Sequence, residues 1–80
     1  MKRIEIVSLD RVGLIGEISN VIRRLNGDII SHTANVVTHG NTPISHFRAD
    51  IRFETASDDT VLLKRLHRLK NVRQVRISDV

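Results

Sequence analysis

The sequence has no cysteine, no tryptophan and no tyrosine, and only one proline and two phenylalanines among its 80 residues. Each scarcity excludes something. Without cysteine there is no disulfide framework and no thiolate metal site, which fits a reducing, cytoplasmic setting. With Phe47 and Phe53 as the whole of its Phe, Trp and Tyr content, the chain is short of rings for a nucleic-acid platform built on base stacking. No apolar run approaches the roughly 20 residues that span a bilayer. The opening Met1-Lys2-Arg3-Ile4-Glu5 lacks the apolar stretch of a signal peptide, so no membrane association is expected. Acids are the minority charge: 9 Asp and Glu stand against 13 Lys and Arg, a net charge of +4. That balance permits an acidic partner without specifying one.

What is present reads as one domain over residues 1–80. A chain this short buries only about 60–65% of its unfolded surface, so a second copy or a larger parent would add stability. Lys2 to Leu9 predicts a strand, Ile4 and Ile6 alternating with Arg3 and Glu5. Asp10-Arg11-Val12-Gly13 breaks it. Leu14, Ile18, Ile22 and Leu25 then share one face of a helix, which Asn26-Gly27 stops. Ile29 to Thr38 is β-branched and reads as a strand, followed by the turn cluster His39-Gly40-Asn41-Thr42-Pro43. From Ser45 to Thr55, Phe47, Ala49, Ile51 and Phe53 point one way and His46, Arg48, Asp50, Arg52 and Glu54 the other, so one face is core and one is wet. Ser57 is the expected cap of a second helix, with Asp58 and Asp59 favourable at its positive end. Leu62, Leu66 and Leu69 form its buried stripe, helped by Val61 and Leu63. Val72 to Ser78 closes the chain as a strand, Val75 and Ile77 inward.

The order βαββαβ predicts an α+β, ferredoxin-like fold: a four-stranded antiparallel sheet with both helices on one face. Right-handed crossovers put the first and third strands in the centre. The expected core face carries Ile4, Ile6, Phe47, Ile51, Phe53, Val75 and Ile77. In the hairpin, Ile30, Ala34 and Val36 are expected on that face, with Thr38 opposite Ser45, Asn35 facing Arg48 and Ser31 facing Arg52. A bulge in the second strand would flip the faces, and Ile29 and Val37 compete for the core.

This fold hosts many functions, so a site must decide among them. RNA recognition on the open sheet face needs exposed rings, and both Phe residues belong to the apolar stripe. A metal site needs several donors to converge. His32, His39, His46 and His67 supply no convincing third ligand, and they read as solvated side chains. A phosphate-cradling enzyme loop would cast Arg11 with Asn35 or Asn41. The first loop, however, has a single glycine and carries Asp10, which repels a phosphate. No Ser/His/Asp set or carboxylate pair has catalytic spacing. No catalytic residues, metal or cofactor are expected.

The stretch Asp10-Arg11-Val12-Gly13-Leu14-Ile15-Gly16-Glu17-Ile18, continuing through Val21-Ile22 to Gly27-Asp28-Ile29-Ile30, resembles an ACT domain. In that family a strand ends in Asp/Asn-Arg-Pro-Gly-Leu, a helix follows with Ile/Leu periodicity, and Gly-x-Asn-Ile leads into the second strand. Leu66 to Ile77 resembles the family's last helix and strand. The resemblance covers nearly the whole chain. Val12 stands where the family often has Pro, and Asp28 where Asn is common. The closing segment is also similar to the C-terminal ACT domains of stringent-response enzymes that make and degrade guanosine tetraphosphate.

The resemblance implies a regulatory domain that senses a small amino acid, commonly as a homodimer. It implies side-chain contacts from Ser8, Asp10 and Asp28. The residues themselves point to the same loop. Backbone N–H groups at Gly13, Leu14 and Ile15 open a helix and offer an anion site for a ligand carboxylate. Gly13 permits close approach, Asp10 and Asp28 suit an ammonium, and Arg11 and Val12 complete the loop. Asp10 is equally suited to a turn or cap, and Asp28 to strand entry. A second feature is a basic run: Lys64, Arg65, Arg68, Lys70, Arg73 and Arg76 fall within thirteen residues that contain no acid. It reads either as a solvated surface or as a contact for RNA or an acidic protein.

Overall fold

Strict alternation on two strands decides which way the sheet faces. The computed structural model describes residues 1–55 and 58–80. Its elements run β1 (Lys2–Leu9), α1 (Leu14–Arg24), β2 (Gly27–His39), β3 (Thr42–Phe53), α2 (Asp59–His67) and β4 (Val72–Asp79). The strands form one antiparallel sheet in the order β2-β3-β1-β4. The fold is α+β and ferredoxin-like, with β1 and β3 central as the crossover rule requires.

Register puts like with like. Ile4 lies opposite Ala49 and Ile77, and Ile6 opposite Phe47 and Val75, so one face of three strands is continuously apolar. Onto it α1 brings Leu14, Ile18 and Ile22 and α2 brings Leu62 and Leu66, all buried. Phe47 is 2% exposed, and Phe53, Val75 and Ile77 pack at the margin. Each fully buried Leu, Ile or Phe stabilises by about 1.5–3 kcal/mol, which makes this cluster the main support of a small fold. Among the described residues, the other face of the sheet carries no helix.

Two asparagines rather than glycines make the left-handed turns after the helices: Asn26 (φ 61°) and Asn71 (φ 68°). Gly27 serves a different need. A Cβ there would meet Ile22 Cγ2 at 2.7 Å and Phe53 Cε1 at 2.8 Å, so the strand passes the end of α1 too closely for any side chain.

The hairpin departs from the expected register. The turn is only Gly40-Asn41, with Gly40 at φ 63° as the first position of a two-residue II′ turn requires. The ladder therefore begins at His39 opposite Thr42. Thr38 faces Pro43, Val36 faces Ser45, Asn35 faces His46, Thr33 faces Arg48 and Ser31 faces Asp50. This is a slip of two residues from the expected pairing, because the longer turn cluster overstated the loop. Pro43 is accommodated as an acceptor, taking the Asp10 N–H at 3.0 Å.

A slip of two preserves faces, so Ala34 and Val36 lie on the helix side as expected. They are nevertheless exposed. A register shift between Ile29 and Ser31 lets Ile29 pair with Ile51 and join the core margin, leaving Ile30 44% exposed. Val37, its competitor at the far end, is exposed too. In α2, Val61 is exposed rather than a support of the stripe. Ser57 lies outside the described residues. Asp58 is the cap, its side chain accepting the Thr60 N–H at 2.9 Å.

Candidate functional site

The β1–α1 loop turns at Gly13, which is the N-cap of α1 at φ 83°, and no side chain caps the helix. Left-handed backbone at the cap is the reason glycine stands there. The Leu14 N–H donates weakly to the Arg11 carbonyl at 3.4 Å, and the Glu17 N–H closes the first helical bond onto Gly13 at 3.0 Å. Ile15 and Gly16 lie in the first turn, whose N–H groups have no intrahelical acceptor. That end of α1 thus presents unsatisfied donors and the positive end of its dipole.

It opens on a cavity of about 190 Å³. Asp10, Gly13, Ile15 and Gly16 line one side and Ala34, Val36 and Ser45 the other. A Cβ built on Gly13 or on Gly16 meets nothing within 4 Å, so both glycines border open space. Asp10 is exposed, Ile15 is 41% exposed and Val12 is fully so. The pairing of β2 with β3 supplies the far wall, since Val36 sits opposite Ser45. The strand that carries Ala34 and Val36 is the edge of the sheet, with no neighbour on its outer side.

Several expected ligand residues have other duties. Ser8 is fully buried, and its one O–H is shared between the Leu9 and Asn71 carbonyl oxygens, each 3.0 Å away. It ties β1 to the residue that precedes β4 and does not line the cavity at α1. The side chain of Leu14 belongs to the core at 3% exposure. Arg11 folds back: its Nε donates to the Lys70 carbonyl at 3.1 Å, and its Nη1 pairs with Glu17. The hydrogen bond from Arg11, reinforced by its charge, holds the Glu17 carboxyl below its ordinary 4.5. Arg11 Nη2 is buried without a partner among the described residues, so this guanidinium clamps the loop against the α2–β4 connection.

Asp28 is not brought to the loop. It pairs with Arg52 on the open face, at the end of the sheet where β1 begins. Val36 lies eight residues further along β2, roughly 25 Å at the rise of a strand. The bulge at Ile30 is what sets Asp28 on the far face. Sequence reasoning missed Gly16, Ala34, Val36 and Ser45; small residues at 16 and 34 were the available signal, but it is legible only with the hairpin register known.

The fold also divides the basic run. Lys64, Arg65, Arg68, Lys70, Arg73 and Arg76 are all exposed. Lys64 and Arg65 lie on α2, and Arg68 is its C-terminal cap residue. Arg76 pairs with Glu5 on the open sheet face, so no one surface holds all six. Among the described residues, no three of His, Cys, Asp and Glu come together as a metal site, and no helix is long and apolar enough to cross a membrane.

No protein-family model and no curated protein sequence matches the chain. Its architecture does have solved counterparts, and they define the class: the chain has the ACT-domain fold. The ACT domain from GTP pyrophosphokinase of Chlorobium tepidum superposes with a TM-score of 0.68 at 22% identity, covering 96% of this chain and 95% of that one. A formyltetrahydrofolate deformylase from Pseudomonas syringae pv. tomato gives 0.74 at 22% identity, covering 98% of this chain but only 26% of the deformylase. An unknown protein from Galdieria sulphuraria gives 0.66 at 17% identity over 99% of this chain and 45% of its own.

Proposed function

We propose that this chain is a regulatory, non-catalytic ACT domain that binds a small amino acid in the β1–α1 loop, with residues 1–80 acting as one domain. The observation that carries this reading is the uncapped N-terminus of α1 opening on a cavity beside an uncovered strand edge. The ligand carboxylate meets the N–H groups of Ile15 and Gly16, and the ammonium meets Asp10. Ile15, Ala34 and Val36 accommodate a small apolar body. Asp28 and Ser8 are not part of the site, and Arg11 acts as a positioning residue for the loop. A second copy, docked along β2, closes the cavity's open side. The likeness to an ACT domain of a GTP pyrophosphokinase supports an origin within such an enzyme or as a free-standing regulator, in the cytoplasm.

Ligand binding to the native state raises stability by about 2.7 kcal/mol at a hundred times the dissociation constant. In a domain of this size that moves the melting temperature by about ten degrees or more. A thermal-shift screen of the twenty amino acids at millimolar concentration is therefore expected to single out one or a few small ones. Flat curves across the screen would remove amino-acid sensing from this chain. A second reading, favoured by the exposed bases at the C-terminal end of α2, is docking of RNA or an acidic protein through Lys64, Arg65 and Arg68, with Arg73 and Arg76 on the other side of the sheet left out. Its signature for RNA is affinity that falls steeply with salt.

A further inference from the structure

The ladder between β1 and β4 is regular from Lys2 opposite Asp79 to Val7 opposite Gln74. Continued unbroken, it would set Arg73 opposite Ser8, on the helix side, where Ser8 is fully buried. A cation does not enter that space without a partner. Instead the register shifts: Ser8 pairs with Val72, and Arg73 is the extra residue of a bulge. Bulges re-aim side chains, and this one brings Arg73 to the open face, beside Val7.

There it borders a cavity of about 490 Å³, lined by Val7, His39, Thr42, Ile44, His46 and Arg73. That volume lies within the range of small-molecule sites. The floor is apolar. Val7 is half-buried and Ile44 is only 4% exposed, so Val7 is the apolar surface a ligand would meet. The walls carry donors: a guanidinium, two imidazoles and a hydroxyl, with no carboxylate among the lining residues. Arg73 forms no ion pair within 4.0 Å among the described residues, whereas Arg3 on the same face is held by Asp50 at 2.8 Å. The nearest acid along β1 on this face is Glu5, one rung beyond Val7, and it lies between Arg48 and Arg76 on the neighbouring strands.

We propose that this open-face cavity is a second binding site, for a small organic anion whose apolar body rests on Val7 and whose oxyanion is held by Arg73. The charge and the floor must act together. A bare oxyanion gains nothing from Val7, and a neutral apolar molecule leaves the guanidinium without a partner. A planar guanidinium suits a carboxylate or a phosphate ester equally. The site is on the opposite side of the sheet from the α1 cavity and does not depend on the function proposed for it.

The test is a titration of the 15N-labelled full chain, followed by NMR, with phenyl phosphate and with phenylacetate. Inorganic phosphate and benzyl alcohol serve as the anion-only and apolar-only controls. Saturable shifts at Val7, Ile44, His46 and Arg73 are expected with the organic anions at concentrations where both controls leave them unmoved. The tighter of the two identifies the head group. Arg73→Gln is expected to weaken binding about tenfold, the loss of one charge-assisted contact, without changing thermal unfolding. The proposal is overturned if no probe binds, if either control matches the organic anions, or if Arg73→Gln binds as tightly as the wild type. It is equally overturned if the shifts fall on Gly13 to Gly16. Shifts at Val7 and Ile44 on simple dilution would assign this face to a second copy instead.

Discussion

Gly27 shows how much a single residue carries in a small fold. An added methyl would press on Ile22 Cγ2 at 2.7 Å and on the Ile22 carbonyl oxygen at 3.0 Å, and backbone cannot move aside as a flexible side chain can. Overpacking of this kind costs about 1–3 kcal/mol, so Gly27→Ala is expected to lower the melting temperature by about ten degrees. An unchanged melting curve would mean that the junction of α1 and β2 is looser than these contacts imply. A second prediction at this scale concerns Asp50, whose hydrogen bonds to Arg3 and the charges of Arg3 and Arg48 hold its carboxyl below the ordinary 3.8. A carboxylate depressed in the folded state adds stability that is complete above its unfolded value and is lost as pH falls through the folded one. Glu17, depressed from 4.5 by Arg11, acts in the same sense. Urea denaturation should therefore show stability falling below about pH 4, with a smaller fall in Asp50→Asn. Identical acid limbs in the two proteins would remove Asp50 from the account.

At the scale of elements, periodicity made most of the fold legible before any coordinates. The apolar residues of β1 and β3 alternate over long enough runs to fix which face is core. The spacing of Leu14, Ile18 and Ile22 admits only a helix, and the βαββαβ order leaves few topologies. What escaped depends on local geometry that composition does not encode. His39 to Pro43 is uniformly turn-like, so nothing in it says that only Gly40 and Asn41 form the turn. The shift at Ile30 and the bulge at Arg73 each insert one residue into a ladder, and the sequence around both reads as ordinary strand. The site inherits these blind spots. Gly13 and Asp10 were visible because a strand-to-helix turn with glycine has few uses. Ala34 and Val36 were not, since placing them against the loop requires the register. Ser8 and Arg11 look free in sequence and are engaged in structure, because the closing partners, Asn71 and Lys70, come from the far end of the chain.

The whole molecule has one unguarded boundary. Its longest dimension is 41 Å, close to the length of a 13-residue strand at about 3.3 Å per residue. β2 lies at the sheet's edge with Asp28 as its one Asp, Glu, Lys or Arg and with no proline. Natural edges are usually blunted by charge, proline or cover, and most of this one is not. Val36 is 54% exposed beside the α1 cavity, so a second copy pairing along β2 would bury it and close the cavity together. Sedimentation equilibrium should show a dimer in the micromolar range and a monomer for Val36→Lys, whose folded spectrum is unchanged. A wild-type monomer at high micromolar concentration would contradict the shared-edge assembly.

The central claim, that the N-terminus of α1 receives a ligand carboxylate, is tested most directly at Gly16. This residue borders open space and has no left-handed constraint, unlike Gly13. In the first turn of a helix an Asp is favoured over Gly by propensity and by the dipole. Gly16→Asp is therefore expected to melt at or above the wild-type temperature while placing a carboxylate where the ligand's would go. Thermal melts of both proteins, with and without the amino acids that shift the wild type, separate fold from site. The account predicts a variant that is no less stable and shows no ligand-induced shift. A variant that keeps the full shift would contradict it, placing the ligand elsewhere on the molecule.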